Sequence, residues 1–121
     1  MTSKTELQRV IVCGGRDYAD KGKVWDTLSA AWIGDDLDSL AHGGASGADS
    51  LAGEWAQSMQ IDYRVYPARW TLEGRSAGPR RNLRMLDDFK PALVIAFPGG
   101  RGTAHMVEIA RKAGVDVYEV Q

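Results

Sequence analysis

Three glycine-dense stretches hold most of the residues able to do chemistry in this chain: Gly14-Gly15-Arg16-Asp17, Gly43-Gly44-Ala45-Ser46-Gly47-Ala48-Asp49 and Pro98-Gly99-Gly100-Arg101-Gly102-Thr103. Together they contain eight of the 14 glycines. A glycine lets main-chain N–H groups approach a phosphate that a Cβ would hold off, so the pattern suits an anion cradle. The competing explanation is geometric, because tight turns between strands and helices call for glycine whether or not a ligand binds. None of the stretches is a standard nucleotide signature. There is no G-x-x-x-x-G-K-[ST], and Gly43-Gly44-x-x-Gly47 is not G-x-G-x-x-G, which sets aside P-loop triphosphatases and ordinary dehydrogenases.

Charge points to the second half of the chain for an anion site. Residues 1–60 sum to −4 and residues 61–121 to +3, and six arginines (64, 69, 75, 80, 81 and 84) fall within 21 residues that hold one acid, Glu73. Guanidinium planes suit forked contacts with phosphate. Of Arg80 and Arg81, one is expected to face the crevice and the other solvent; a solvated helix face is the plainer account of the pair. Asp17 and Asp49 are the candidate carboxylates, although an Asp in the first turn of a helix often serves only as a cap or a dipole partner. His42 and His105 border the glycine turns and could bond phosphate or ribose, or be structural. Trp70 is the candidate for stacking on a purine, against the alternative of a core aromatic anchoring its loop. Cys13, at the end of an apolar run, reads as core. The ligand-binding candidates are thus Gly14 to Arg16, Gly43 to Gly47 and Pro98 to Thr103, with Trp70, Asn82 and His105.

Positioning these residues takes strands that end at each glycine turn and helices that begin there. Arg9–Cys13 is a short apolar run stopping at Gly14-Gly15, and Val24, Leu28, Ala31 and Trp32 follow at helical spacing after Asp20. Residues 39–42 form a second strand, followed by a helix with the stripe Leu51, Trp55 and Met59. Residues 63–66 form a third strand, then comes an Arg- and Gly-rich loop, then a helix from about Pro79 to Phe89, with proline tolerated in its first turn. Pro91–Phe97 is the clearest buried strand, Thr103–Ala113 the next helix with Gly114 as its cap, and residues 115–120 a last strand. Five strands alternating with four helices predict an α/β chain: a Rossmann-like open parallel sheet with helices on both faces. In such a sheet ligands bind outside the carboxyl ends of the strands, where all three glycine stretches fall. The organisation expected is one domain over residues 1–121, with 1–7 a loose tail.

At 121 residues the chain suits a single core. One cysteine and two histidines exclude an internal disulfide and a structural zinc set, so neither a metal nor a cofactor is expected. The N-terminal residues show no apolar signal region and no apolar run reaches the ~20 residues that span a bilayer, so a cytoplasmic location without membrane contact is expected. Trp25, Trp32 and Trp55 on helices read as core or interface, which makes a homodimer or higher homo-oligomer an expectation.

Four motifs in order, Cys-Gly-Gly-Arg-Asp-Tyr at 13–18, His-Gly-Gly-Ala-Ser-Gly-Ala-Asp at 42–49, Ala-Gly-Pro-Arg-Arg-Asn-Leu-Arg-Met-Leu at 77–86 and Phe-Pro-Gly-Gly-Arg-Gly-Thr-Ala at 97–104, resemble the SLOG superfamily. That group unites the SMF/DprA DNA-processing proteins with the LOG phosphoribohydrolases, and within it the chain is most similar to the small YspA/YpsA-related proteins. The resemblance runs from about Arg9 to Val120. It implies a Rossmann-like fold, binding of a nucleotide or a molecule derived from one, and a bacterial or phage setting. LOG enzymes cleave the N-glycosidic bond of nucleoside 5′-monophosphates with a P-G-G-x-G-T-x-x-E motif and a preceding arginine. Here the glutamate position is Met106, and Glu108, two residues on, is turned by about 200° on a helix. Three readings follow. The first is a binder, acting as sensor or sequestering protein, for a phosphorylated nucleotide derivative such as an ADP-ribose-like signal or a nucleoside monophosphate. The second is a LOG-like hydrolase with Arg80 or Arg81 on phosphate and Asp17 or Asp49 replacing the glutamate, since oxocarbenium chemistry calls for a carboxylate. The third, and least favoured, is a DprA-like single-stranded DNA binder.

Overall fold

The structure, a computed structural model, describes residues 7–121, so most of the loose tail expected over 1–7 lies outside the described residues. Strands and helices alternate along the chain: β1 (Arg9–Cys13), α1 (Lys21–Ile33), β2 (Ser39–His42), α2 (Ala48–Ser58), β3 (Tyr63–Val65), α3 (Trp70–Glu73), a 3-10 turn (Gly74–Ser76), α4 (Ala77–Phe89), β4 (Leu93–Ala96), α5 (Arg101–Lys112) and β5 (Asp116–Glu119). All strand pairings are parallel, in the order β3-β2-β1-β4-β5. The chain steps outward from β1 to β3, crosses back to set β4 beside β1, and finishes at β5. The Rossmann-like sheet expected from the sequence is the fold.

Alternation along the central strands builds two cores, one on each face. Val10 and Val12 of β1 join Ile95 of β4 and Phe97 just after it, against α1 and α2, where Val24, Leu28 and Trp55 are buried. Ile11 and Cys13, with Val94 and Ala96, face α4 and α5 and meet Met85, Phe89 and Met106. Central strands buried on both faces explain the near-continuous apolar runs in the sequence. β3 and β5 lie at the edges, and all three residues of β3 are exposed.

Several boundaries differ from the sequence expectation. α4 starts at Ala77, two residues before Pro79, because the first turn needs no N–H from residue 79. α5 starts at Arg101, two residues before Thr103, with Gly100 as its N-cap. The Arg- and Gly-rich loop contains a short helix, α3, and a 3-10 turn, so among the described residues there are five α-helices rather than four. On α2 the buried residues include Ala52, Trp55 and Ala56; Leu51 is only partly buried, and Met59 follows the helix and is exposed. Small residues there let α2 lie close to the sheet. Gly114 does follow α5 as expected, with φ +77°. Its N–H bonds Arg111 O and that of Val115 bonds Ala110 O, the paired closure of a left-handed helix end.

Of the helix tryptophans, Trp55 is wholly buried and its Nε1 donates to Ser29 Oγ at 2.9 Å, whereas Trp32 is 44% exposed. Trp55→Ala is expected to cost about 3–5 kcal/mol, and Trp32→Ala about 1 kcal/mol or less. Urea unfolding midpoints measure the two losses; equal losses would mean that α2 is not seated on the sheet through Trp55.

Candidate functional site

The return of the chain from β3 to β4 leaves β1 and β4 adjacent, with their connections on opposite faces. Beyond their carboxyl ends the loops part and form a cleft of about 560 Å³, within the ~300–1,000 Å³ typical of small-molecule sites. Its walls include Gly14, Gly15 and Arg16 after β1, Gly43, Ala45 and Asp49 after β2, Trp70, and Arg81 and Asn82 on α4. The loop into α5 adds Gly100, Arg101, Gly102, Thr103 and His105. Gly44 and Ser46 line an adjoining recess. Asp17, Gly47, Arg80, Pro98 and Gly99 line neither.

The glycines divide into two groups by what lies opposite them. Gly14 meets the helix and strand next to it, where a Cβ would stand 2.6 Å from Ala48 Cβ and 2.9 Å from Phe97 Cβ. Gly15 donates its N–H to Pro98 O at 2.9 Å, and Gly99 lies against the Gly14–Gly15 backbone and the Thr103 hydroxyl. Gly47 has φ +76°, and the carbonyls of Gly15 and Arg16 fill the space a side chain would need. These glycines bring loops into contact. At Gly100 and Gly102 a Cβ would meet nothing within 4 Å, and both residues border open cleft. The N-terminus of α5 therefore reaches the cleft with its free N–H groups unobstructed.

Asp49 is 5% exposed. Its Oδ2 accepts from Gly43 N at 3.1 Å and Ala45 N at 3.2 Å, closing the loop after β2. Burial pushes its carboxyl up to about 6, against the opposing pull of the Ala45 N–H, Arg81, the Gly43 N–H and Arg16. Arg81 is half-buried beside it. Its Nη1 donates to Gly43 O at 2.6 Å and Tyr66 O at 3.4 Å, and its Nε to Asn82 Oδ1 at 3.0 Å. The guanidinium occupies the place of a Gly43 side chain. Desolvation draws its pKa down while Asp49 holds it up. Arg80 turns outward and pairs with Glu73 at 3.7 Å, so of the two arginines Arg81 is the one at the crevice. Buried Asn82 donates from Nδ2 to Gly102 O and bonds His105 Nδ1, each at 3.1 Å, tying α4 to α5.

Trp70 is 50% exposed at the cleft, with the Arg16 guanidinium 5.4 Å from its ring centroid, so it is not a core aromatic. His42 is buried away from the cleft; its Nδ1 accepts from Gly44 N at 3.0 Å and its ring stacks on Tyr63. Burial, then Arg81, lowers its pKa to about 4. Cys13 lines the cleft, but burial above all pushes its thiol up to about 12, leaving it protonated and unreactive. Met106, where LOG enzymes carry glutamate, is fully buried in the core, and Glu108 is exposed and pairs with Lys112 at 3.0 Å. Sequence reasoning passed over Arg75, Pro79 and Met85 as lining residues. The available signals were the place of Arg75 in the arginine-rich run and of Pro79 and Met85 in the 77–86 motif. Four arginines (16, 75, 81 and 101) and one carboxylate, Asp49, thus line the cleft.

Asp49 and His42 give opposite pH dependences. With its folded pKa raised, Asp49 contributes stability that is fully present below about pH 4 and is lost as pH rises through about 6; His42, with its pKa lowered, contributes stability present above about pH 6.5 and lost as pH falls through about 4. Asp49→Asn removes the first dependence alone. Wild type should lose melting temperature relative to this variant between pH 4 and 6, with a constant gap above about pH 7. A gap that moves the other way would show an ordinary ion-paired carboxylate.

Comparison with known proteins agrees with this architecture. The chain is 37% identical over 124 residues to the Gene 61 protein of Mycobacterium phage D29, covering 92% of this chain and 94% of that protein. Its fold is similar to DNA processing protein A (DprA) from Streptococcus pneumoniae, with TM-score 0.74 and 17% identity over 95% of this chain; it spans only 50% of the DprA chain. A C-terminal domain of a hydrogenase from Pyrococcus furiosus is a more distant fold relative, with TM-score 0.57 and 13% identity, covering all of this chain and 97% of that domain. Residues 8–72, more than half of the chain, match the sequence pattern of the YspA, cpYpsA-related SLOG family. The chain therefore belongs to the YspA, cpYpsA-related SLOG family.

Proposed function

We propose that this protein binds a phosphorylated nucleotide, or a metabolite derived from one, in the cleft outside β1 and β4, as a sensor or sequestering protein. The observation that carries this reading is the meeting of the α5 N-terminus, four arginines and exposed Trp70 around one cleft with a single carboxylate. The phosphate rests on the main-chain N–H groups of residues 100–103, with Arg101 and Arg81 supplying charge. A helix terminus contributes about 0.3–1 kcal/mol, up to ~2 when partly buried, and a charge-assisted hydrogen bond about 1.5–3. Micromolar binding needs a net of about 8 kcal/mol, so a base stacked on Trp70 supplies a necessary share.

A second reading, hydrolysis of an N-glycosidic bond, draws support from Asp49, the one carboxylate among the cleft-lining residues. Its Oδ2 is already engaged by two loop amides, and Met106 leaves the position of the LOG glutamate apolar. Release of free base from nucleoside monophosphates, abolished by Asp49→Asn, would favour this reading over binding alone.

A thermal-shift screen of nucleotides and their derivatives tests the main reading, because a ligand that prefers the folded state raises the melting temperature. An oligonucleotide belongs in the screen, given that the fold relative DprA is a DNA processing protein; binding through phosphates alone would fall steeply with salt. Gly100→Val should abolish the shift while leaving the unfolding midpoint of the free protein within about 1 kcal/mol of wild type, since the new side chain meets only open cleft. Trp70→Ala should weaken binding by about 1–3 kcal/mol in calorimetric titration. Undiminished binding in both variants would move the ligand elsewhere.

A further inference from the structure

The rim of the cleft is stitched on one side and open on the other. The Gly15 N–H donates to Pro98 O at 2.9 Å and the Ala48 N–H to Gly15 O at 3.1 Å, main-chain bonds that tie together the loops after β1, β2 and β4. The wall that follows β3 has no such tie. Its chain is pinned at Pro67, whose carbonyl accepts from Arg84 Nη2 at 3.1 Å, and again at Ala77, which is wholly buried. Between them lie residues 68–76, which hold α3 and the 3-10 turn, and no residue of either is buried. Their main-chain bonds stay local: the N–H groups of Leu72 and Glu73 reach Arg69 O, and that of Gly74 reaches Trp70 O.

Among the described residues, two side-chain pairings join this segment to the rest of the molecule. Glu73 meets Arg80 of α4 at 3.7 Å, and with Arg80 largely exposed such an ion pair holds weakly. The other Glu73 oxygen, Oε1, is buried with no hydrogen-bonding partner, so the seated position carries a cost that lifting the segment into water removes. The second pairing is the Arg16 guanidinium on the Trp70 ring, and it crosses the cleft, because Arg16 follows β1 and Trp70 follows β3. Where α3 meets the turn, Gly74 has φ +57° and open space on its Cβ side, so nothing there obstructs movement.

Few buried contacts, no main-chain tie and two weak pairings are the marks of a unit that opens at lower free energy than the whole fold. We infer that residues 68–76 form a lid over the cleft, lifting as one body between Pro67 and Ala77, with the Arg16–Trp70 contact as its latch. Raised, the lid carries Trp70 and Arg75 away from the opposite wall and admits a guest; seated, it holds the guest in. The lid rests on the proposed binding site in naming what it covers, whereas its motion needs no ligand.

Hydrogen exchange of the whole chain, read by mass spectrometry, tests the motion directly. The Glu73 and Gly74 amides should exchange far faster than those of Val94 and Ile95 in β4. Arg16 pairs with Trp70 and with neither of those residues. Arg16→Gln should nevertheless speed exchange at Glu73 and Gly74 about two- to fivefold, the worth of one exposed cation–π contact, and leave the β4 rates unchanged. Trp70→Ala should speed it at least as much, and adding Arg16→Gln to Trp70→Ala should speed it no further, because both remove the same contact. Exchange that ignores Arg16, or two accelerations that multiply, means that the segment frays without a latch and overturns the inference. AMP at about ten times its dissociation constant should slow lid exchange about tenfold. AMP that binds without slowing it overturns the lid and leaves the binding site standing; no AMP binding, with the variants behaving as expected, keeps the lid and counts against the site.

Discussion

The arrangement depends on backbone meeting backbone at the carboxyl edge of the sheet. The loops leaving β1 and β4 touch through the Gly15 N–H and Pro98 carbonyl, with Gly99 pressed on the Gly14–Gly15 peptide and Gly47 pressed on the carbonyls of Gly15 and Arg16. Side chains at these places would force the loops apart, and the helices that follow would lose their aim. The parallel sheet sets where the loops start, and the missing side chains set how near they come. A cleft with a defined mouth results from both.

On the other wall Arg81 organises the charge. It packs where Gly43 has no side chain, bonds the Gly43 carbonyl, and faces an aspartate that holds the same loop by two amides. Removing either group takes bonds from the loop after β2: Arg81 bonds the Gly43 carbonyl, and Asp49 bonds the Gly43 and Ala45 amides. Loop geometry and cleft potential are thereby coupled, because the residues that shape the loop after β2 also carry the charge beside it.

The order of elements was readable because central strands are apolar on both faces and glycine marks their ends. That one of Arg80 and Arg81 faces the crevice and the other solvent also followed from their adjacency on a helix; that Arg81 is the inward one did not. Other features were beyond the sequence. A four-residue helix such as α3 shows no period, so the stretch that carries Trp70 read as loop. Gly99 and Gly100 are neighbours of one type, yet the first packs on a backbone and the second borders open space; only what lies across from each separates them. The stripe Leu51, Trp55, Met59 overestimated size on α2, where small residues do the packing. Arg75 reaches the cleft because a 3-10 turn bends the chain ahead of α4, a feature set by tertiary packing and not by local pattern.

The bridge made by Asn82 decides which ring nitrogen of its neighbour accepts. Its carbonyl oxygen accepts from Arg81 Nε and its amide nitrogen donates to the Gly102 carbonyl, so the same amide group must also be the donor toward His105 Nδ1. That ring nitrogen keeps its lone pair, and the imidazole carries its hydrogen on Nε2. His105 can therefore offer a hydrogen to a guest but cannot remove one through Nε2. On the proposed reading, with arginines, main-chain amides and this imidazole all offering hydrogens, the wall would suit a guest rich in lone pairs better than an amine, a filter built into the tautomer as much as into the charge.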